Sequence, residues 1–250
     1  MAPHPLVALA VAVVLLVGVA GAVGHAAGLG HGRDLLVATG RAVVQLLLVG
    51  LVVRVVLGTP ALAPLYLAVM LTAAALTSGR RLRGVPAAAR LAAVAIGSGA
   101  LVTTTVVFAT GALAWSARDV VPFTAQVLGG AMTATTLAGQ RLLDDVRIQW
   151  DQVEAWLAVG ATPRQAVREL GRVAAARALV PSLDQTRNVG LVVLPGAFVG
   201  LLLGGASPLE AGRVQLLVLI GLLAAQTVAA VVVTRLLADR VGLVRPVVPA

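Results

Sequence analysis

Seven long apolar runs, near 5–24, 35–57, 60–78, 87–115, 122–140, 189–205 and 213–236, constrain this chain more than any motif in it. Each is close to the roughly 20 apolar residues that a helix needs to cross about 30 Å of hydrocarbon. With 59% hydrophobic and 12% charged residues and a mean hydropathy of +0.99, a soluble globule of 250 residues would expose large apolar surfaces. The expectation is an all-α, polytopic transmembrane bundle of about seven spans in a lipid bilayer, one membrane domain over 1–250. The first run is read as a true span rather than a signal peptide. Met1-Ala-Pro-His-Pro5 carries no Arg or Lys, whereas a secretory n-region normally carries positive charge.

Seven spans put the two termini on opposite sides, and the basic residues choose the orientation. With the N-terminus outside, only Arg54, Arg118 and Arg213 fall on the outer side. The other Arg residues, among them Arg33, Arg80, Arg81, Arg83, Arg90, Arg141, Arg147 and Arg240, lie at or near the cytoplasmic face. This makes the stretch 141–187 and the C-terminal tail from Arg240 to Ala250 cytoplasmic. The formal charge of +9 therefore reads as topology, not as nucleic-acid binding. All 19 basic side chains are Arg. Without Lys there is no Walker A sequence, so the chain is not itself a P-loop ATPase. HExxH and GxSxG are absent as well, which excludes the usual zinc protease and serine hydrolase machinery. There is no Cys, and His4, His25 and His31 sit near the N-terminus. A metal site at His25 and His31 with Asp34 has no diagnostic spacing, and solvated loop histidines are the default.

The stretch 141–187 differs from everything around it. Leu142, Val146, Trp150, Val153 and Leu157 form an apolar stripe at helical spacing, with Arg141, Asp144, Asp145, Arg147, Asp151 and Glu154 on the polar faces. The fifth span should run on as an amphipathic helix and stop at Gly160. Thr162-Pro163-Arg164-Gln165 then starts another helix with a capping box and Pro at its first position. Val167, Leu170, Val173 and Ala174 give this helix its own apolar face until Pro181 interrupts near the membrane. Three readings remain open for this hairpin: docking onto a partner, anchoring to lipid headgroups, or a solvated loop. Seven Arg are offset by six acids, whereas lipid anchoring favours net positive charge.

Glu154-Ala155-Trp156, three residues and then Gly160 resemble the EAA-type coupling motif of ABC transporter permeases. More narrowly, Leu157 to Ala166, Arg177-Ala-Leu-Val-Pro181, Val189 to Gly196, Gly204-Gly205, Pro208, Ala211 and Gln215 resemble the iron-export (FetB-type) permease family, also called UPF0014. The likeness extends to Gly40-Arg41-Ala-Val-Val-Gln-Leu46 and covers most of 35–237. It implies a subunit of the bacterial cytoplasmic membrane that pairs with a second copy. Each copy would dock a separate ATPase through Glu154, Ala155, Gly160, Ala161, Thr162, Pro163, Arg164 and Gln165, and ATP and Mg would be held on that partner. It also implies export of iron or a related metal ion. The family's plant members imply a non-metal cargo such as a sugar nucleotide as an alternative. The chain departs from the family pattern at Gly129-Gly130-Ala131-Met132, where an Asn is expected, and at Ala197-Phe198, where Met residues are expected.

Several span residues are candidates for a pathway or gate. Arg41 and Gln45 are one turn apart, and a charge within a span usually faces the bundle or water unless it snorkels. The fifth span carries Gln126, Thr133, Thr136 and Gln140, which suit either a polar pathway or bonds to their own backbone. In the sixth, Pro195 and Gly196 precede the spacing Gly196, Gly200, Gly204, read as a moving element or as static packing. Gln215 lies in the last span. A channel or secondary transporter is the competing class. It needs an intramembrane carboxylate, and the ten acids all flank spans or lie in 141–187. A membrane scaffold without transport is the third.

Overall fold

The computed structural model describes residues 5–240. It is helical throughout, and the chain divides into two compact units, Met1–Thr59 and Pro60–Ala250. Among the described residues, six helical segments are long and apolar enough to cross a membrane.

The first unit is a helical hairpin. α1 (Pro5–Ala26) and α2 (Gly32–Gly58) are joined by a turn in which Gly28 and Gly30 take φ of +67° and +68°. Glycine adopts that region without steric cost. Apart from Val56, α1 and α2 bury no side chain, and Leu15, Leu16, Leu46 and Leu47 are each more than 60% exposed, as suits helices solvated by lipid tails.

The second unit begins with a 3₁₀ turn (Pro60–Leu62) and continues as α3 (Ala63–Arg81), α4 (Ala88–Ala109) and α5 (Ala117–Ile148). After these come α6 (Trp150–Ala158), α7 (Pro163–Ala166), α8 (Arg168–Arg187), α9 (Gly196–Leu203) and α10 (Pro208–Ala238). α10 is the axis of this unit, packed by α4, α5 and α8. The core is small-residue rich, because helices in lipid gain by close approach rather than by hiding from water. Gly99 of α4 sits on the backbone of Ala225 in α10, and a Cβ at Gly79 of α3 would lie 2.6 Å from the backbone of Ala89. Ser78 and Thr136 share a buried hydroxyl bond of 2.8 Å between α3 and α5.

The fifth span extends past the apolar run as expected, but not as one helix to Gly160. α5 is 32 residues, roughly 48 Å long, and is N-capped by Ser116. It ends at Ile148, where Gln149 leaves helical geometry (φ −107°, ψ 29°), and α6 continues the stripe to Ala158. The expected span over 189–205 is corrected. Residues 188–195 turn tightly, with Gly190 at φ +81°, and only Gly196–Leu203 is helical. Eight residues reach about 12 Å, too short to cross. Pro181 does not interrupt its helix either; α8 continues through it to Arg187.

α8 differs most from the sequence reading. Arg164 is ion-paired with Asp239 at the C-terminal end of α10, Gly171 lies against Thr234, and Val189 and Gly190 line a cavity with Gln215 and Leu219. Ser207 caps the N-terminus of α10. Residues 165–206 therefore run the full length of α10, roughly 46 Å, antiparallel to it. The chain makes this passage as a broken crossing, α8, then a turn, then α9. Glu169 and Asp184, read from sequence as loop carboxylates, are carried alongside a span.

Candidate functional site

The corner between α6 and α7 is closed by two standard motifs in succession. The Gly160 N–H donates to the Leu157 carbonyl and the Ala161 N–H to the Trp156 carbonyl, both at 3.0 Å. This is the paired bonding of a Schellman termination, with Gly160 at φ +91°. One residue later the Thr162 N–H donates to Gln165 Oε1 at 2.8 Å, and the Gln165 N–H returns to Thr162 Oγ1 at 3.4 Å. Pro163 occupies the first helical position. Nine residues from Trp156 to Arg164 thus have almost no conformational freedom left. Val153 and Val167 flank the corner and are buried with Leu142 and Val146, anchoring it to α5 and α8. Trp156 and Val159 point outward, 53% and 76% exposed.

Arg164 ties the corner to the bundle. Its guanidinium donates to both carboxylate oxygens of Asp239, at 2.5 and 2.7 Å. That bond holds the Asp239 carboxyl below its usual range and pushes Arg164 up. A carboxylate whose folded pKa is depressed stabilises the fold above its unfolded pKa, and the contribution is lost as pH falls through the folded value. Acidification through and below the ordinary carboxylate range should therefore free α7. Asp239→Asn should free it already at neutral pH, seen as faster hydrogen exchange at 163–167 with α5 unchanged. Equal exchange in variant and wild type would mean the tie holds nothing. The pair is exposed, so the effect is modest and screened by salt.

The broken crossing presents two kinds of surface. Towards α5 and α10, α8 turns Gly171, Ala174, Ala175 and Ala178. Its other face is exposed and carries Glu169, Arg172, Arg177, Asp184 and Arg187, with Ala176 and Val180 between them. Arg172 pairs with Glu169 at 2.5 Å and Arg187 with Asp184 at 3.5 Å. At the turn, a cavity of about 320 Å³ opens between Pro195, Phe198 and α10. Its lining is apolar except for Gln215, which is 5% exposed and whose Oε1 has no hydrogen-bond partner among the described residues.

The remaining sequence candidates scatter. Arg41 and Gln45 lie exposed on α2 in the first unit. Gln126 and Thr133 form part of an exposed polar stripe along α5, whereas Thr136 is buried and bonded to Ser78. Gln140 lines a second cavity, with Arg80, Arg81, Arg83 and Arg147. Gly196 and Gly200 would meet nothing within 4 Å if given a Cβ, and Gly204 only its own helix's carbonyls, so the glycine spacing does not pack against another helix among the described residues. Among the described residues, no three His, Asp or Glu side chains come together as a metal site. His4 lies outside those residues, as does most of the C-terminal tail. Sequence reasoning missed the charged face of α8. The available signal was the helical length from Pro163 to Arg187, long enough to travel beside a span.

Comparison with known proteins adds an independent line. A profile of the family described as "Uncharacterised protein family (UPF0014)" matches residues 6–241. The rice UPF0014 membrane protein STAR2 is 39% identical over 205 residues, 81% of this chain and 72% of that protein. Protein ALUMINUM SENSITIVE 3 of Arabidopsis thaliana is 34% identical over 81% of this chain and 75% of its own length. The probable iron export permease protein FetB of Escherichia coli K12 is 31% identical over 202 residues, 80% of this chain and 78% of FetB. No solved structure matches.

Proposed function

The chain belongs to the UPF0014 family and is a multi-pass membrane protein, and on that premise we propose that it is the membrane-spanning permease subunit of an ABC transporter. ATP and Mg bind to a separate ATPase that docks at the corner around Glu154, Ala155 and 160–165. The single observation that carries this reading is the rigid corner with Trp156 and Val159 exposed. Force applied there passes through α7 and α8 to the turn at 188–195 and the cavity beside Gln215. A scaffold has no need of such a linkage.

Two copies form the pathway. Non-helical backbone at membrane depth is tolerated only against protein or water, and charged side chains there face a bundle or an aqueous cavity. The 188–195 turn, with Leu191 and Val192 more than 80% exposed, and the charged face of α8 both need such cover. The second copy supplies it. The corner end is cytoplasmic, since Arg80, Arg81, Arg83 and Arg147 gather there, and with the broken crossing counted the N-terminus lies outside. The membrane is the bacterial cytoplasmic membrane.

The cargo is iron or a related metal ion moving outward, by analogy with the relative named as a probable iron export permease. One observation favours a second reading, an anionic cargo such as a sugar nucleotide: α8 sets four exposed Arg (Arg168, Arg172, Arg177 and Arg187) against two carboxylates. Channel and secondary-transport readings gain little from Glu169 and Asp184, because each is already paired with an Arg.

Gly160→Val tests the assignment. A β-branched residue at φ +91° costs about 1–3 kcal/mol, while its side chain meets nothing, so the strain stays local. Co-purification with an ABC ATPase of the same genome that binds the wild type should fall about tenfold or more, and ATPase stimulation in lipid vesicles should fall with it. An unchanged complex at normal membrane abundance would overturn the docking corner.

A further inference from the structure

We propose that the Arg-lined cavity between the C-terminal ends of α3 and α5 is a binding site for a phosphate-bearing group. The cavity holds about 350 Å³, at the lower end of the range for small-ligand sites. Arg80, Arg81 and Arg83 form one wall, Arg147 and Gln140 the other, and buried Leu143 the floor. The one carboxylate in the lining, Asp144, is bonded to Arg147 at 3.3 Å. Arg80, Arg81 and Arg83 have no ion pair among the described residues. Four guanidiniums around one already engaged carboxylate present a surplus of N–H donors and positive charge. The matching ligand has several anionic oxygens in a compact group, which is what phosphate offers to the planar fork of Arg.

Its level in the bundle fits as well. α4 starts at Ala88, just after this wall, and its 22 residues span roughly 33 Å, one hydrocarbon thickness. The cavity thus lies at headgroup depth, at the same end as the corner, since Leu82 and Val85 share a core with Val153 and Val167. An anionic phospholipid of that leaflet and a soluble phosphate compound offer the same group. The site is separate from the α8–α10 crossing and does not depend on the identity of the cargo.

The test uses the full chain in neutral detergent. Phosphatidylglycerol and phosphatidylcholine are compared by native mass spectrometry. Inorganic phosphate is compared with chloride at equal ionic strength by the thermal midpoint. Wild type should retain phosphatidylglycerol at least about tenfold better than phosphatidylcholine, or be stabilised by phosphate and not by chloride. The first result identifies a lipid headgroup and the second a soluble ligand. Arg80→Gln with Arg83→Gln should remove the preference. Arg147→Gln, on the opposite wall, should weaken it independently, and Arg213→Gln at the far end of α10 should leave it intact. All these side chains are exposed, so the core is untouched. Wild type that ignores both comparisons, or wall variants that bind as tightly as wild type, would overturn the site.

Discussion

Replacing Gly99 by valine is expected to remove most of the folded protein from the membrane. Gly99 lies where α4 crosses α10, and a Cβ there would press into the carbonyl oxygen of Ala225, with the carbonyl carbon 3.2 Å away. The obstacle is helix backbone, which cannot rotate aside as a side chain would. Ala92, Ala95, Ala225 and Ala229 surround the crossing at 0% exposure, so α4 has no slack to slide into. Overpacking of a tight core costs about 1–3 kcal/mol, and more when backbone must move. Lipid tails reward separated helices as well as they reward packed ones, so the loss is not recovered elsewhere. Monodisperse protein recovered in mild detergent should fall about tenfold, since each 1.4 kcal/mol is a factor of ten. Gly129→Val is the matched control, because a Cβ at Gly129 meets nothing within 4 Å. Normal recovery of Gly99→Val would mean that α4 and α10 do not cross at this distance.

The parts of this fold that were legible in the sequence are those governed by local chemistry. Gly160, Thr162, Pro163 and Gln165 each carry an intrinsic backbone preference, and the corner they form needs no tertiary information to be read. The same is true of the end of α5 and of α6, whose shared stripe from Leu142 to Val153 keeps its helical period past the end of the apolar run, although the break at Gln149 between the two helices carries no sequence signal of that kind. What hydropathy misread was the order of the two halves of the broken crossing. The apolar run 189–205 looked like a span, and the polar run before it looked like a loop, because a span is usually assumed to face lipid all round. α8 has its Ala face covered by α5 and α10, and both of its carboxylates, Glu169 and Asp184, are paired with an Arg along the helix. Such a helix can run beside a span with a mean hydropathy that no threshold would accept. The interruption was written in Gly190 and in Pro195-Gly196, which mark an apolar run that cannot be one helix. Ser78 and Thr136 show the opposite limit. Each is an ordinary span residue in sequence, and only the fold makes them partners across two helices.

A cysteine placed between the charges of α8 is expected to react with a charged, membrane-impermeant thiol reagent at least about tenfold faster than one on the apolar face of α10. The chain contains no cysteine, so single replacements report without background. Ala176→Cys and Val180→Cys put a thiol on the exposed face between Arg172, Arg177 and Asp184 while leaving every charge in place. Ile220→Cys puts one on α10, nearer the 188–195 turn than either, where the native side chain is 52% exposed on an apolar stretch of the helix. The thiolate is the reacting species; nearby guanidiniums and water favour it, and hydrocarbon suppresses it. Water along α8 therefore appears as a rate difference rather than as a matter of exposure alone. If Ala176→Cys and Val180→Cys prove as inert as Ile220→Cys, the charged face is packed dry and is no cavity, and the pathway has to be sought along the polar stripe of α5. If they react, repeating the measurement with the ATPase bound tests the mechanism itself. A corner that drives α8 should change the rate at Val180→Cys, nearer the turn, while Ile220→Cys stays slow.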